Sequence, residues 1–421
     1  MPKFGHSFRK KHFSQVPDHV VPVNNGSYGL PPEEVIREYH SAFNKDVAYP
    51  DEFIRLRQQE QYRRAVRSVA PIVKCEPENL ALVENATTAV NTVLQSVDLK
   101  KGDVVVMPTS TYGACANTVR YLHDYRGIEF VWVEIAYPVS DAQVVAKFRA
   151  AFEEHRPKLA LFDAVVSMPG VKVPWESLVD LCREFGVISL VDGAHAIGLI
   201  PLELDAVAPD FFCSNLHKWF HVPRGCALLY VHPRFHRTIQ SLPVSHNYVS
   251  PDAELTKEEE ADLLFHKFAF NGSRTFAAIA TVPKAIEFRN EKGGGEESIR
   301  KYCYELAGKA AQIVLKQWPE AKIVENKEKT LSNAMVSFFL PIEEYSKDFD
   351  ANDSAALAKL IEFVSEWQLT RRHTFVPING HAGKVLGRLS AQLYNEPGDY
   401  VYACKALDAA LKAYFQDNSK L

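Results

Sequence analysis

Apolar runs alternate with amphipathic stretches along the middle of this chain. The runs at 104–107, 130–135, 159–163, 187–192, 211–214 and 226–231 have the length of strands. Segments with helical periodicity lie among them, at 89–97, 114–125, 141–155 and 175–185. Strands alternating with helices of this length predict βαβ units and a mostly parallel sheet covered on both faces. A further short run at 79–83 comes just before Asn85-Ala86-Thr87-Thr88, and a helix follows.

The two ends read differently. Residues 1–60 form an irregular arm and then a helix. The arm holds the turn-rich Asn24-Asn25-Gly26-Ser27-Tyr28-Gly29, and Pro31-Pro32-Glu33-Glu34 marks a helix start. A second helix is predicted over 58–73, with Ala65, Val66, Val69 and Ile72 on one stripe. Beyond 285 the style shifts. Gly293-Gly294-Gly295 predicts a flexible break, followed by helices over 298–318, 355–367 and 400–415 and strands over 334–340 and 388–394. The expected fold class is α/β: a large domain with a mostly parallel, seven-stranded-type sheet and a smaller α+β C-terminal domain. The expected division is an arm at 1–60 packing with the small domain, a large domain at 61–288 and a small domain at 289–421.

Composition narrows the function classes. The 421 residues carry 48 Lys and Arg against 52 Asp and Glu, a net charge of −4. That balance argues against a protein that coats nucleic acid or an anionic membrane. No apolar stretch approaches the ~20 residues that cross a bilayer, and residues 1–14 lack the apolar core of a secretory signal. The seven cysteines, at 75, 115, 182, 213, 226, 303 and 404, include no CxxC pair. This predicts free thiols in a reducing compartment, with no disulfide scaffold and no metal site. The sequence closes on Ser419-Lys420-Leu421, the tripeptide read by the peroxisomal import receptor. The expected location is the peroxisome, or otherwise the cytoplasm.

The segment richest in chemistry is Ser214-Asn215-Leu216-His217-Lys218-Trp219-Phe220, which places a lysine just after a short strand. Upstream, Asp192 ends another strand and leads into Gly193-Ala194-His195. Open α/β sheets bind ligands at the C-terminal ends of their strands. Taken singly, Lys218 reads as a loop lysine and Asp192 as a helix cap. Together they meet the demands of pyridoxal phosphate, which needs a lysine for its Schiff base, a carboxylate facing the pyridine nitrogen, a phosphate cup and a ring to stack on. Lys218 supplies the first and Asp192 the second. Ala86, Thr87 and Thr88, opening a helix after a strand, offer N–H groups and hydroxyls to a phosphate. Tyr112 ends a further strand and can cover the ring.

These motifs resemble the fold-type I, class V aminotransferase-like enzymes, in the branch of isopenicillin N epimerase, plant cysteine desulfhydrase and the fungal hercynylcysteine sulfoxide lyase. The likeness is carried by residues 24–29, Asn85 to Ala89, Tyr112-Gly113, Ser167-Met168-Pro169, 192–195, 214–220, Gly272-Ser273-Arg274 and Tyr394-Asn395. It implies that Lys218 is the Schiff-base lysine and proton shuttle and that His195 sits near the ring's phenolic oxygen. Thr87, Thr88, Ser214 and His217 would hold the phosphate, and Ser273 would reach the phosphate of a neighbouring subunit in a homodimer with sites at its interface. Arg388 would grip the substrate α-carboxylate, where otherwise it reads as a surface arginine at a strand edge. Asn25 would line the substrate site. The sequence departs from the branch at Ala164, where His is common, and at Thr275, where Asp is common.

The implied reaction is removal of an amino acid's α-proton by Lys218 and expulsion of sulfur from Cβ, giving pyruvate and ammonia. Tyr112 is the candidate general acid, and ring stacking is its other role. A lyase acting on cysteine or a cysteine conjugate, including a sulfoxide, is the first expectation. A PLP-dependent epimerase or cyclase is the alternative, and transamination comes third. Persulfide-forming chemistry needs a nucleophilic cysteine on a mobile loop, and Cys226, Cys303 and Cys404 lie in strand or helix runs. Cys115, three residues after Tyr112, reads as a buried spectator thiol, with help to a sulfur substrate as the other reading. A cofactor-free binding protein on the same fold is the remaining class.

Overall fold

The computed structural model describes residues 3–418. Ser419, Lys420 and Leu421, and with them the targeting tripeptide, lie outside the described residues.

Seven strands form the larger sheet: β1 Leu80–Val83, β2 Val104–Pro108, β3 Glu129–Val133, β4 Leu159–Asp163, β5 Ile188–Asp192, β6 Phe211–Asn215 and β7 Ala227–Val231. Their order is β1-β7-β6-β5-β4-β2-β3. Neighbours from β6 to β3 run parallel, while β7 is antiparallel to both β6 and β1. Every residue of β4, β6 and β7 is buried. That explains why these strands read as near-continuous apolar runs, since helices cover both faces. Each fully buried Leu or Phe, such as Leu161 and Phe162, contributes about 2 kcal/mol of transfer free energy. The chain steps outward from β2 to β3 and returns to β4 beside β2. The C-terminal ends of the parallel strands thus flank the crevice in which such sheets bind ligands.

A second sheet follows, with β8 Lys322–Ile323, β9 Met335–Phe339, β10 Ile378–His381 and β11 Lys384–Ser390 in the antiparallel order β10-β11-β9-β8. Three helices, Glu296–Gln317, Ser354–Arg372 and Pro397–Asn418, accompany it. The strand expected over 388–394 is β11, shifted toward the N-terminus. It begins in a hairpin whose turn is Ala382-Gly383, both at positive φ, and it leaves the ladder at Ser390. The hairpin was hidden because β10 and the start of β11 are short and polar. Within the Gly293-Gly294-Gly295 run only Gly293 is packed, while Gly294 is exposed and Gly295 has open space around it. A Cβ at Gly293 would lie 2.6 Å from the Arg289 carbonyl oxygen and 2.7 Å from Ile299 Cδ1.

The N-terminal arm is tied to the second half by backbone bonds. Gly5 N–H donates to Leu393 O at 2.8 Å, and Ser390 N–H donates to Val23 O at 2.8 Å. Among the described residues no helix is long and apolar enough to cross a membrane.

Candidate functional site

Two parallel strand ends and one four-residue helix build the centre of the site. β5 ends on Asp192, and β6 ends on Asn215, where the chain turns into the helix Leu216–Trp219 that carries Lys218. The Lys218 amine lies 3.0 Å from His195 Nε2. On the other side of that imidazole, Trp219 Nε1–H donates to His195 Nδ1 at 3.2 Å. An indole nitrogen only donates, so Nδ1 must be the acceptor and a neutral His195 carries its proton on Nε2. Burial, then the charges of Lys218 and Arg388, push the His195 pKa well below its ordinary value and keep the ring neutral. Nε2–H then points at Lys218, where it meets a lone pair if the amine is uncharged. Burial lowers the Lys218 pKa to about 8, against the opposing pull of Asp192.

Asp192 Oδ1 accepts from Ala194 N–H at 2.9 Å, and Oδ2 accepts from the Cys115 thiol at 3.3 Å. Asp163, which ends β4, is the register partner of Asp192 and is equally buried. Its Oδ2 has no hydrogen-bond partner. Burial and then the neighbouring Asp192 raise the Asp163 pKa well above the carboxylate range.

The proposed phosphate cup forms around the helix Ala86–Ser96. Asn85 caps it, its side chain accepting from Thr88 N–H at 2.8 Å. Ala86 N–H donates to Asn215 Oδ1 at 2.9 Å, which ties the cup to the lysine helix. His217 Nδ1 is buried and has no protein partner, and its pKa falls to about 4 through burial and then the Lys218 charge. Ser214 needs a correction. It is fully buried, accepts from Ile197 N–H at 3.0 Å and donates to Gly193 O. Its hydroxyl therefore braces the 193–197 turn, with no donor left for a phosphate. Asn215, not singled out from sequence, has its Oδ1 engaged and its Nδ2 donors uncommitted.

Arg388 lies mid-strand in β11 and is 2% exposed, so the reading as a surface arginine fails. Nη1 donates to Ser167 O at 2.6 Å, and Nη2 donates to Asn24 Oδ1 at 2.8 Å and to Ser27 Oγ at 2.9 Å. Nε is buried without a partner. Among the described residues no carboxylate pairs with it, and a buried guanidinium without a counter-charge calls for an anionic ligand. Asn25 is better described as a brace than as a free substrate ligand. Its Nδ2 donates to Lys218 O at 3.1 Å, and its Oδ1 accepts from Tyr394 Oη–H at 2.9 Å.

The short helix Asn25–Tyr28 thus touches Lys218 through Asn25 and Arg388 through Ser27, with its neighbour Asn24 adding a second bond to Arg388. It can do so because Gly29 has no side chain. At φ +67°, a Cβ there would overlap the carbonyl oxygens of His217 and Lys218. Gly29→Ala is expected to cost about 3 kcal/mol of stability, read as a lowered urea midpoint at unchanged m.

Tyr112 precedes the helix Gly113–Arg126 and is 51% exposed. Cys115 N–H donates to Tyr112 O at 2.9 Å, which places Tyr112 one turn from the thiol that reaches Asp192. Ser273 is exposed, on a loop whose Arg274 pairs with Glu84 beside the cup, and it makes no contact with the Lys218 cluster. Sequence reasoning missed Trp219, Cys115, Asp163 and Asn215 as parts of this network. The one available signal was that the runs at 159–163 and 187–192 both end on aspartate.

The residues present fit pyridoxal phosphate. They provide a half-buried amine with a lowered pKa, a carboxylate at the adjacent strand end, an unpartnered imidazole nitrogen at the cup and an uncompensated guanidinium.

Comparison with known proteins gives the same direction. The model of the family described as aminotransferase class-V matches residues 30–351. Hercynylcysteine sulfoxide lyase of Schizosaccharomyces pombe is 29% identical over 405 residues, covering 96% of this chain and 97% of that one. A probable chloroplastic L-cysteine desulfhydrase of Arabidopsis thaliana is 29% identical over 422 residues, covering 94% and 84%. Among solved structures, a C-DES mutant with glycine covalently linked to its PLP cofactor superposes with a TM-score of 0.76 at 16% identity. It covers 94% of this chain and 98% of that chain, a likeness of fold.

Proposed function

The chain belongs to the class-V aminotransferase family, and from that premise we propose that it is a pyridoxal phosphate-dependent lyase cleaving the C–S bond of cysteine or a cysteine conjugate, sulfoxides included. The observation that carries the reading is the half-buried Lys218, its amine 3.0 Å from a neutral His195, in one site with Asp192 and the uncompensated Arg388. The relatives' names, sulfoxide lyase and cysteine desulfhydrase, support the choice of the C–S bond.

The cofactor supplies an electron sink for the substrate's Cα when bound. The chain does the rest. Asp192 would face the ring nitrogen, and His195 would present Nε2–H to the phenolic oxygen. Thr87, Thr88, His217 and Asn215 would hold the phosphate. Arg388, steadied by Asn24 and Ser27, binds the α-carboxylate and fixes which substituent faces Lys218. The Lys218 amine accepts the α-proton. The C–S bond breaks with its electron pair on sulfur, and the Tyr112 phenol gives that sulfur a proton. Hydrolysis then yields pyruvate and ammonia. Persulfide chemistry on this chain's own thiols is disfavoured, since Cys226, Cys303 and Cys404 are all buried.

The site is half of a shared one in this reading. Two copies would pair, with Ser273 of one reaching the phosphate cup of the other. The exposed apolar side chains Tyr28 (65%), Val47 (55%), Tyr49 (60%) and Leu56 (65%) support such a contact. Light scattering should give a dimer, and a fully active monomer contradicts the pairing.

The direct test is to incubate purified holoenzyme with cysteine, cysteine S-conjugates and their sulfoxides and to assay pyruvate and the released sulfur product. Stoichiometric pyruvate is expected. Scrambled α-stereochemistry without pyruvate overturns the lyase reading in favour of an epimerase.

The lysine predicts a pH dependence. Only the uncharged amine condenses with an aldehyde, and its pKa is about 8. Uptake of pyridoxal phosphate by apoprotein should therefore rise roughly tenfold per pH unit below 8 and level off above it. Stopped-flow absorbance checks this, and a rate still climbing at pH 10 contradicts it.

A further inference from the structure

The proposed machinery uses Asp192 but leaves its surroundings unexplained. Two carboxyl groups stand side by side at the ends of β4 and β5, Asp163 in register with Asp192 and both buried. Like charges this close do not both ionise readily, so the pair favours one negative charge. Either residue can hold it, and only the one at Asp192 serves a cofactor nitrogen. Hydrogen-bond donors break the tie. Asp192 receives two, Ala194 N–H on Oδ1 and the Cys115 thiol on Oδ2, whereas Asp163 has only a backbone N–H of its own and its Oδ2 receives none. Donors to an ionised carboxylate stabilise the charged form.

We propose that Cys115 is a positioning residue, whose thiol, by donating to Asp192 Oδ2, keeps the single negative charge of the Asp163–Asp192 pair on Asp192 and that carboxylate aimed into the site. The thiol suits the task. It is 1% exposed and its pKa is raised, by burial and then by Asp192, so it remains a donor. Cys213 adds a second sulfur 4.0 Å from Asp192 Oδ1. The groups facing Asp163 are Asp192 on β5, Lys218 on the lysine helix, Tyr137 from the loop after β3, and the thiols of Cys115 and Cys213. Lys218 also faces Arg388 and Cys115.

This inference rests on the assignment of Asp192 to the cofactor nitrogen, and the test separates the two. Wild-type holoenzyme must first show the visible cofactor band and pyruvate release, and without them the functional reading itself falls. Given both, Cys115→Ala should lower kcat about tenfold with KM nearly constant, and should shift the pH at which the band titrates. Cys115→Ser, which keeps a donor, should restore the rate to within about twofold. Adding Asp163→Asn to Cys115→Ala should recover most of the lost rate, because the charge then has no second place to go. Should Cys115→Ala not fold, Cys115→Thr and Cys115→Val make the same comparison at equal shape. The proposal is overturned if the donor-free variant matches wild type, if the hydroxyl variant is as slow as the donor-free one, or if Asp163→Asn restores nothing.

Discussion

Lys218→Ala is expected to lower turnover about a thousandfold or more and to erase the visible cofactor band, with far-UV circular dichroism unchanged. In the proposed mechanism the residue meets two needs with one atom, anchoring the cofactor aldehyde and accepting the α-proton. Both depend on a lone pair that burial makes available by lowering the pKa to about 8. The fold has little reason to suffer. Among the described residues the Lys218 amine makes one hydrogen bond, to His195 Nε2, and its helix is held by main-chain features, with Asn25 on Lys218 O and Gly29 packed beneath. Loss of activity with loss of secondary structure would be a folding defect. Retained activity would refute the assignment.

Asp192→Asn is expected to cost a hundredfold or more in kcat, with a much smaller change in KM. The amide is isosteric, so Ala194 N–H keeps an acceptor. What disappears is the charge that would face the ring nitrogen in the proposed site and, with it, the reason for the Cys115 thiol to point there. The cofactor band should shift, and cofactor should dissociate more readily on dialysis. The expected ranking, Lys218 above Asp192 above Cys115, follows distance from the bond being made or broken.

Much of this arrangement was legible in the chain, for a physical reason. Strands buried on both faces are mostly apolar, so β4, β5, β6 and β7 stand out, and polar residues at the end of a run mark a strand end where chemistry gathers. Asp192 was found that way and Lys218 as a lysine just after β6, while the role of His195 came from the family resemblance. Arg388 was harder, since β11 begins in a polar hairpin and nothing local says that its guanidinium is buried. The roles of Trp219, Cys115 and Asn215 were invisible because each depends on a partner far away in sequence: Trp219 on His195, Cys115 on Asp192 and Asn215 on Ala86. Ser214 misled because the resemblance supplied a serine near the lysine, whereas the fold turns that hydroxyl inward and offers the next residue.

One structural feature ties distant parts of the chain together at the site. Asn24 holds Arg388 and Asn25 holds Tyr394, partners 364 and 369 positions further along the chain. The guanidinium proposed to orient substrate is therefore set in place only when the arm has closed onto β11, so loosening the arm should impair substrate binding even with the larger sheet intact.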